Sequence, residues 1–233
     1  PYAMPLLMRG MAAGSWRRTR KTWTKSVPLL RRASMRAARA GIYYKMAVIL
    51  AEQKEKDGMR TEIILATEEN GFIIKNMYPL YLHDLAGIHG TLPNKYGIFE
   101  EGNIRTLQEQ YDVQQAWFEY PEELFPYIIM ADGLPAGFCL IGSGRFVPEE
   151  TDFHIYETFI LRPYRNRGIA AHAVKAVLDR HHGRWMLFTQ SDNKNEKAMH
   201  FWTKTIGEYT GGRYSNMEKR IEGMPKLVFR FAN

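Results

Sequence analysis

Between Phe153 and Leu178 the sequence changes its hydrophobic period. An extended run, Phe153 to Leu161, passes through Arg162-Pro163-Tyr164-Arg165-Asn166-Arg167-Gly168 into Ile169, Ala170, Ala173, Val174, Val177 and Leu178. The last six share one face of a helix, and Gly183 supplies its stop. A strand that feeds straight into a helix points that helix's first turn, with its unpaired N–H groups and partial positive charge, out of the end of a sheet. Gly168 and Ala170 are small enough for an anion to approach the backbone there, and Arg165 and Arg167 add charge. An ordinary βα turn rich in glycine and arginine explains the same spacing.

The flanking sequence extends the alternation. Glu62 to Ala66 reads as a short strand, and Phe72 to Leu85 as a helix that Pro79 kinks or restarts. A weaker helical stretch covers Ile104 to Phe118. Phe125 to Met130 and Pro135 to Ile141 form two strands joined by Asp132-Gly133, a hairpin signal, and Phe153 to Leu161 completes a meander. Gly142-Ser143-Gly144-Arg145 lacks a following helix period and reads as a hairpin turn. Trp185 to Phe188 is a buried-type strand, Glu196 to Ile206 a helix ended by Gly207, and Tyr209 to Tyr214 with Leu227 to Phe231 two terminal strands. The class is α/β (α+β), with a mixed, mostly antiparallel sheet.

Charge divides the chain. Residues 1–58 hold 13 Lys/Arg against Glu52, Glu55 and Asp57, whereas 59–233 hold 19 against 22 acidic residues, so a net +7 conceals a slightly acidic body. Residues 1–51 contain no acid and no sustained amphipathic period. Three readings of this extension compete: a nucleic-acid or ribosome arm, an Arg-rich transit peptide, and an upstream stretch outside the native frame, with Met59 as the preferred start. The expected organisation is a basic, disordered or loosely helical extension over 1–58 and one domain over 59–233. The one cysteine, Cys139, excludes a disulfide framework, suits a reducing compartment and reads as core filler. No apolar run approaches the ~20 residues of a membrane-spanning helix. The seven histidines show no metal-ligand spacing, so no metal is expected.

Arg165-Asn166-Arg167-Gly168-Ile169-Ala170 resembles the Arg/Gln-x-x-Gly-x-Gly/Ala signature of the GNAT superfamily of acetyl-coenzyme A-dependent N-acetyltransferases. Asn195-Glu196-Lys197-Ala198-Met199-His200-Phe201-Trp202-Thr203-Lys204 is similar to that superfamily's later Asn-x-x-Ala-x-x-Phe-aromatic-x-Lys helix, and Glu157 to Arg162 is most like its bacterial branch. The resemblance implies a GNAT-like sheet of about six to seven strands over residues 61–232. It implies that the backbone of Arg165, Asn166, Arg167, Gly168, Ile169, Ala170 and Ala171 holds the coenzyme pyrophosphate. The pantetheine arm then lies along Phe159, Ile160 and Leu161, with a backbone donor near Ile160 facing the acetyl carbonyl and Asn195 bonding the arm.

An amine of pKa ~8 to 10 attacks only after losing a proton, so a base is needed. Glu157 is the candidate: on a regular strand it shares a face with Ile155, Phe159 and Leu161, where desolvation raises its pKa. Contact with the acceptor and a structural role are its other readings. Trp202 stands where the superfamily often has a proton-donating Tyr; indole cannot serve, which leaves water or Tyr209. Tyr78, Tyr81, His83 and Asp84 fall on the first helices, which cover the acceptor pocket in the superfamily.

These residues lead to a cytoplasmic bacterial N-acetyltransferase, monomeric or homodimeric, acting by direct attack in a ternary complex. Its partner is a small-molecule or peptide amine, with no membrane and nucleic acid only through the basic extension. The rival is a non-catalytic acyl-coenzyme A-binding module with a basic arm for nucleic acid or ribosome.

Overall fold

The computed structural model describes residues 59–100 and 103–233, and the expectations for residues 1–58 lie outside them. A single 7-stranded sheet runs in the order β1-β2-β3-β4-β5-β7-β6. Its strands are β1 Thr61–Leu65, β2 Leu124–Ala131, β3 Leu134–Ser143, β4 Phe153–Ile160, β5 Arg184–Gln190, β6 Tyr214–Ile221 and β7 Met224–Ala232. Every neighbouring pair is antiparallel except β4–β5. The helices are α1 Phe72–His89, α2 Leu107–Val113, α3 Ala116–Glu119, α4 Ile169–Leu178 and α5 Glu196–Thr210.

The sheet is covered on both faces. On one, Ile169, Ala173, Val174, Val177 and Leu178 of α4 and Trp202 and Ile206 of α5 pack with Ile129, Ile155, Trp185 and Phe229. On the other, Ile74, Met77 and Tyr78 of α1 pack with Ile128, Phe138, Leu140 and Phe159. The two-sided core explains why β2 and β3 read as apolar runs instead of clean alternations. Cys139 belongs to the first cluster, fully buried as core filler, and burial pushes its thiol up to about 12.

One irregularity decides what lies at the centre. Leu140 pairs with Glu157, but Ile141 pairs with Ile155, so Tyr156 has no partner on β3. This β-bulge reverses the alternation of β4. Ile155 therefore faces the α4–α5 side while Phe159 faces α1. The same bend carries β4 away from β5: the two pair only at Phe153–Trp185, His154–Met186 and Ile155–Leu187. Glycines permit the close approach of β3. A Cβ on Gly137 would stand 1.9 Å from the Phe159 carbonyl oxygen, and one on Gly142 would stand 2.6 Å from the Tyr156 ring.

Several expectations are corrected. Glu157 does not share a face with Ile155, because the bulge intervenes. Pro79 does not restart a helix; α1 runs through it to His89 and ends at Gly90, left-handed at φ 75°. The weak helical stretch breaks into α2 and α3 around Gln114 and Gln115. Gly183 is not the stop of α4, whose cap is Asp179; the Asn233 amide instead donates to the carbonyls of Leu178 (2.7 Å) and His181 (3.2 Å). Gly207 does not end α5, which runs to Thr210 and closes on Gly211. Tyr209 is accordingly helical, and the strand expected over 209–214 lies at β6. The Asp132-Gly133 hairpin forms as expected, with both residues at positive φ (51° and 81°).

Gly137→Ala has no flexible neighbour to yield, so it should cost about 1–3 kcal/mol in urea unfolding. Gly87→Ala, inside α1 with nothing within 4 Å of the new methyl, should stabilise by about 0.5–1 kcal/mol. Equal effects at the two positions would contradict the close β3–β4 approach.

Candidate active site

The divergence of β4 from β5 opens a cavity of about 410 Å³ in the middle of the sheet. Glu157, Phe159 and Ile160 of β4 line one flank, Thr189 and Gln190 of β5 another, and Tyr81 and Asp84 of α1 the rim. Leu161 N–H donates to the Ala136 carbonyl at 2.8 Å. Alternation along the strand then turns the Ile160 N–H and C=O to the opposite, open edge, where the carbonyl accepts from Arg165 Nε at 2.7 Å. A β-edge that has lost its neighbour presents backbone donors and acceptors to whatever enters.

At the far end of β4 the chain makes a short 3₁₀ turn, Arg162–Tyr164, and reaches α4 through Asn166 (φ 61°) and Gly168 (φ 78°). The first N–H to donate into the helix is that of His172, to Gly168 O at 3.0 Å. The N–H groups of residues 166–171 donate to no protein group among the described residues. A Cβ on Gly168 would meet nothing within 4 Å, so no side chain fills this corner. Beside it, a second hollow of about 640 Å³ runs between α4 and α5, lined by Asn166, Gly168, Ala171, Lys197, His200 and Lys204. An uncapped helix start next to two lysines is an anion-binding arrangement.

Glu157 is the chemically distinctive side chain. Tyr78 donates its hydroxyl to Glu157 Oε1 at 3.0 Å, whereas Oε2 is buried with no hydrogen-bond partner among the described residues. Desolvation outweighs the Tyr78 hydrogen bond, Glu100 adds like charge, and the carboxyl is pushed up to about 7. Burial and the same carboxyl raise the hydroxyls of Tyr78 and Tyr81, so both remain protonated. Tyr81 packs its ring against Tyr78, Phe138 and Phe159 at 5.6 to 5.7 Å.

The other residues singled out by sequence divide clearly. Asn195 lines the cavity; its amide donates to Thr189 Oγ1 (2.7 Å) and Gln190 O (2.9 Å), which leaves the Oδ1 acceptor unspent. Trp202 is buried and also lines the cavity. Arg165 pairs its guanidinium with Asp84, which Arg162 also holds at 2.6 Å. Desolvation opposes ionisation of Asp84, but these two arginines keep its carboxyl below the usual range. Arg167 reaches Met59 Sδ at 3.5 Å. Tyr209 is not brought to the cavity; its hydroxyl donates to Asp179 Oδ1 (2.9 Å) and accepts from Asn233 (3.0 Å). His83 is exposed, against Phe99, and His154 is buried and held neutral, its pKa lowered to about 4 by burial. No group of three potential metal ligands occurs among the described residues, and no helix there is long and apolar enough to cross a membrane.

Sequence reasoning missed Gln190, whose Oε1 is buried without a partner among the described residues, and Lys226. The strands that carry them extend past the apolar residues that signal them, so their last polar positions had no pattern to betray them.

No curated protein matches the chain in sequence. Among solved structures, an acetyltransferase from Thermus thermophilus is 15% identical, covering 74% of this chain and 97% of its own, with TM-score 0.50. The aminoglycoside acetyltransferase AAC(6′)-Ib in complex with coenzyme A is 16% identical, over 75% and 95% of the two chains, with TM-score 0.49. A histone acetyltransferase HPA2 and related acetyltransferase from Corynebacterium glutamicum is 13% identical, over 75% and 97%, with TM-score 0.48. Residues 95–207, which take in the divergent strands, the α4 turn and most of α5, match the model of the acetyltransferase (GNAT) family. Residues 95–207 therefore match a GNAT acetyltransferase domain, on a fold shared with the Thermus thermophilus acetyltransferase.

Proposed function

We propose that this domain transfers the acetyl group of acetyl-coenzyme A to a primary amine bound beside it, with Glu157 as the base. The observation that carries the reading is Glu157 Oε2, a buried acceptor with no donor among the described residues, on the flank of an open cavity. The residues present fit the coenzyme: unpaired amides at 166–171 for a diphosphate, an open β4 edge for an extended amide-bearing arm, and Asn195 Oδ1 as an acceptor for one of its N–H groups. The thioester supplies an activated carbonyl carbon.

Each protein group then has one task. Glu157 takes a proton from the ammonium, so that the nitrogen lone pair can form the C–N bond. The Ile160 N–H, on the open edge, donates to the oxygen that becomes negative, a type of contribution worth about 3 kcal/mol. When the C–S bond breaks, sulfur leaves with its electron pair. A thiol of ordinary pKa ~8.5 is a tolerable thiolate leaving group, so water suffices as the proton source. Of the two tyrosines that line the cavity, Tyr81 is the protein alternative, since Tyr156 spends its hydroxyl on Phe146 O. A single buried cysteine supports a cytoplasmic setting.

Activity should follow the ionised form of Glu157. Rising pH through about 7 increases kcat/KM in the wild type, and Glu157→Gln removes that limb and lowers kcat by about 10²–10⁴. Thiol release across an amine panel reads both, and unchanged turnover in the variant would remove Glu157 as base. Stability carries the same signature. Because the folded pKa lies above the ordinary 4.5, the unfolded chain ionises first, and native stability falls between pH 4.5 and about 7. The Gln variant lacks this loss, so its urea midpoint should gain on the wild type across that window; parallel curves would contradict a buried, neutral Glu157.

Gly168→Val places an isopropyl group over the unpaired amides at a positive φ, and calorimetry should show coenzyme A binding weakened at least about tenfold. Normal affinity would exclude the α4 turn as the diphosphate site. A protein that binds coenzyme A through this turn yet acetylates no amine would be the non-catalytic module.

A further inference from the structure

The charges around the cavity do not cancel evenly. Asp84 is satisfied by Arg162 and Arg165, and Arg165 Nε is spent on the Ile160 carbonyl. Two groups are left over. On the β4 flank stands Glu157, with its unpartnered oxygen. On the β7 flank stands Lys226, half-buried, with its ammonium 5.6 Å from the centre of the Phe188 ring and no carboxylate or hydrogen-bond partner among the described residues.

The surroundings of Lys226 sharpen this. Its partner across the β5–β7 ladder is Gln190, which also lines the cavity. Its partner across the β6–β7 ladder is Lys219, so two ammonium-bearing side chains stand directly opposite each other. Like charges in that relation destabilise a sheet. A partly desolvated lysine beside a second one gains from an anion, and the described residues offer none there.

Resting on acetyl transfer at this site, we propose that the acceptor is an amine that also carries an anionic group, a carboxylate or phosphonate, which Lys226 binds while the nitrogen lies at Glu157. A diamine of similar length is disfavoured, because its second ammonium would face Lys226 instead. The cavity, at about 410 Å³, holds a molecule of amino-acid size beside the end of the coenzyme arm.

The test uses the full chain and paired probes: free amino acids and aminoethylphosphonate against the matching amino-acid amides and diaminobutane. Thiol release from acetyl-coenzyme A should favour the acidic member of the best pair by at least about tenfold in kcat/KM, through KM, and added salt should erode the preference. Lys226→Met should collapse that ratio toward one and Lys226→Arg should keep it, with thermal melts reporting folding of both. Preference for the amides or diaminobutane, or an undiminished ratio in Lys226→Met, overturns the proposal and leaves acetyl transfer standing. Calorimetry with coenzyme A present separates the two ideas from the other side. Lys226-dependent binding of the acidic amines without thiol release overturns the transferase reading, and no binding together with no release overturns both.

Discussion

The unpaired residue at Tyr156 is the feature on which the site depends. A continuous β4 would pair with β5 along its length and seal the middle of the sheet. With one extra residue opposite the Leu140–Ile141 step, β4 bends, changes faces and leaves β5 after three rungs. The last rungs are anchored by burial: His154 stays neutral and its Nδ1 bonds the Met186 carbonyl at 3.0 Å, while Ile155 and Trp185 are sealed in the core. Beyond them the same strand presents a carboxyl to α1 and a free backbone edge to the cavity. The tolerance for this bend lies on β3, where Gly137 and Gly142 leave room for the Phe159 carbonyl and the Tyr156 ring.

A second constraint ties the two halves of the site together. Asp84 comes from α1, whereas Arg162 and Arg165 come from the turn between β4 and α4. The Asp84 carboxylate is largely shielded, so its double pairing is stronger than a surface ion pair, although Arg162 itself is exposed. Arg165 also holds the Ile160 carbonyl and lies over the Phe159 ring at 5.5 Å. The helix that carries Tyr78 and Tyr81 and the turn that carries the free amides are therefore fixed to the same two residues of β4.

Sequence reasoning succeeded where a repeating pattern has one geometric solution. The α4 face, the Asp132-Gly133 hairpin and the strand-to-helix passage each impose a period or a backbone angle that few other folds satisfy. It failed where packing overrides a local signal. Gly207 looks like a helix stop, yet α5 runs through it to Thr210 and closes on the left-handed Gly211. Tyr209 then falls on the helix, pointed at Asp179 and Asn233 and away from the cavity. The bulge leaves no mark in hydrophobic alternation, so the neighbours of Glu157 were misassigned while Glu157 itself was not. Lys226 gains its meaning only from the strands on either side of it.

Amide chemical shifts read the central claim directly, because it concerns backbone N–H groups. Titration of isotopically labelled protein with coenzyme A should move the amides of residues 166–171 and Ile160 together, saturating at one affinity, while those of the β6–β7 turn stay in place. Shifts confined to other parts of the sheet, with residues 166–171 and Ile160 unmoved, would contradict it.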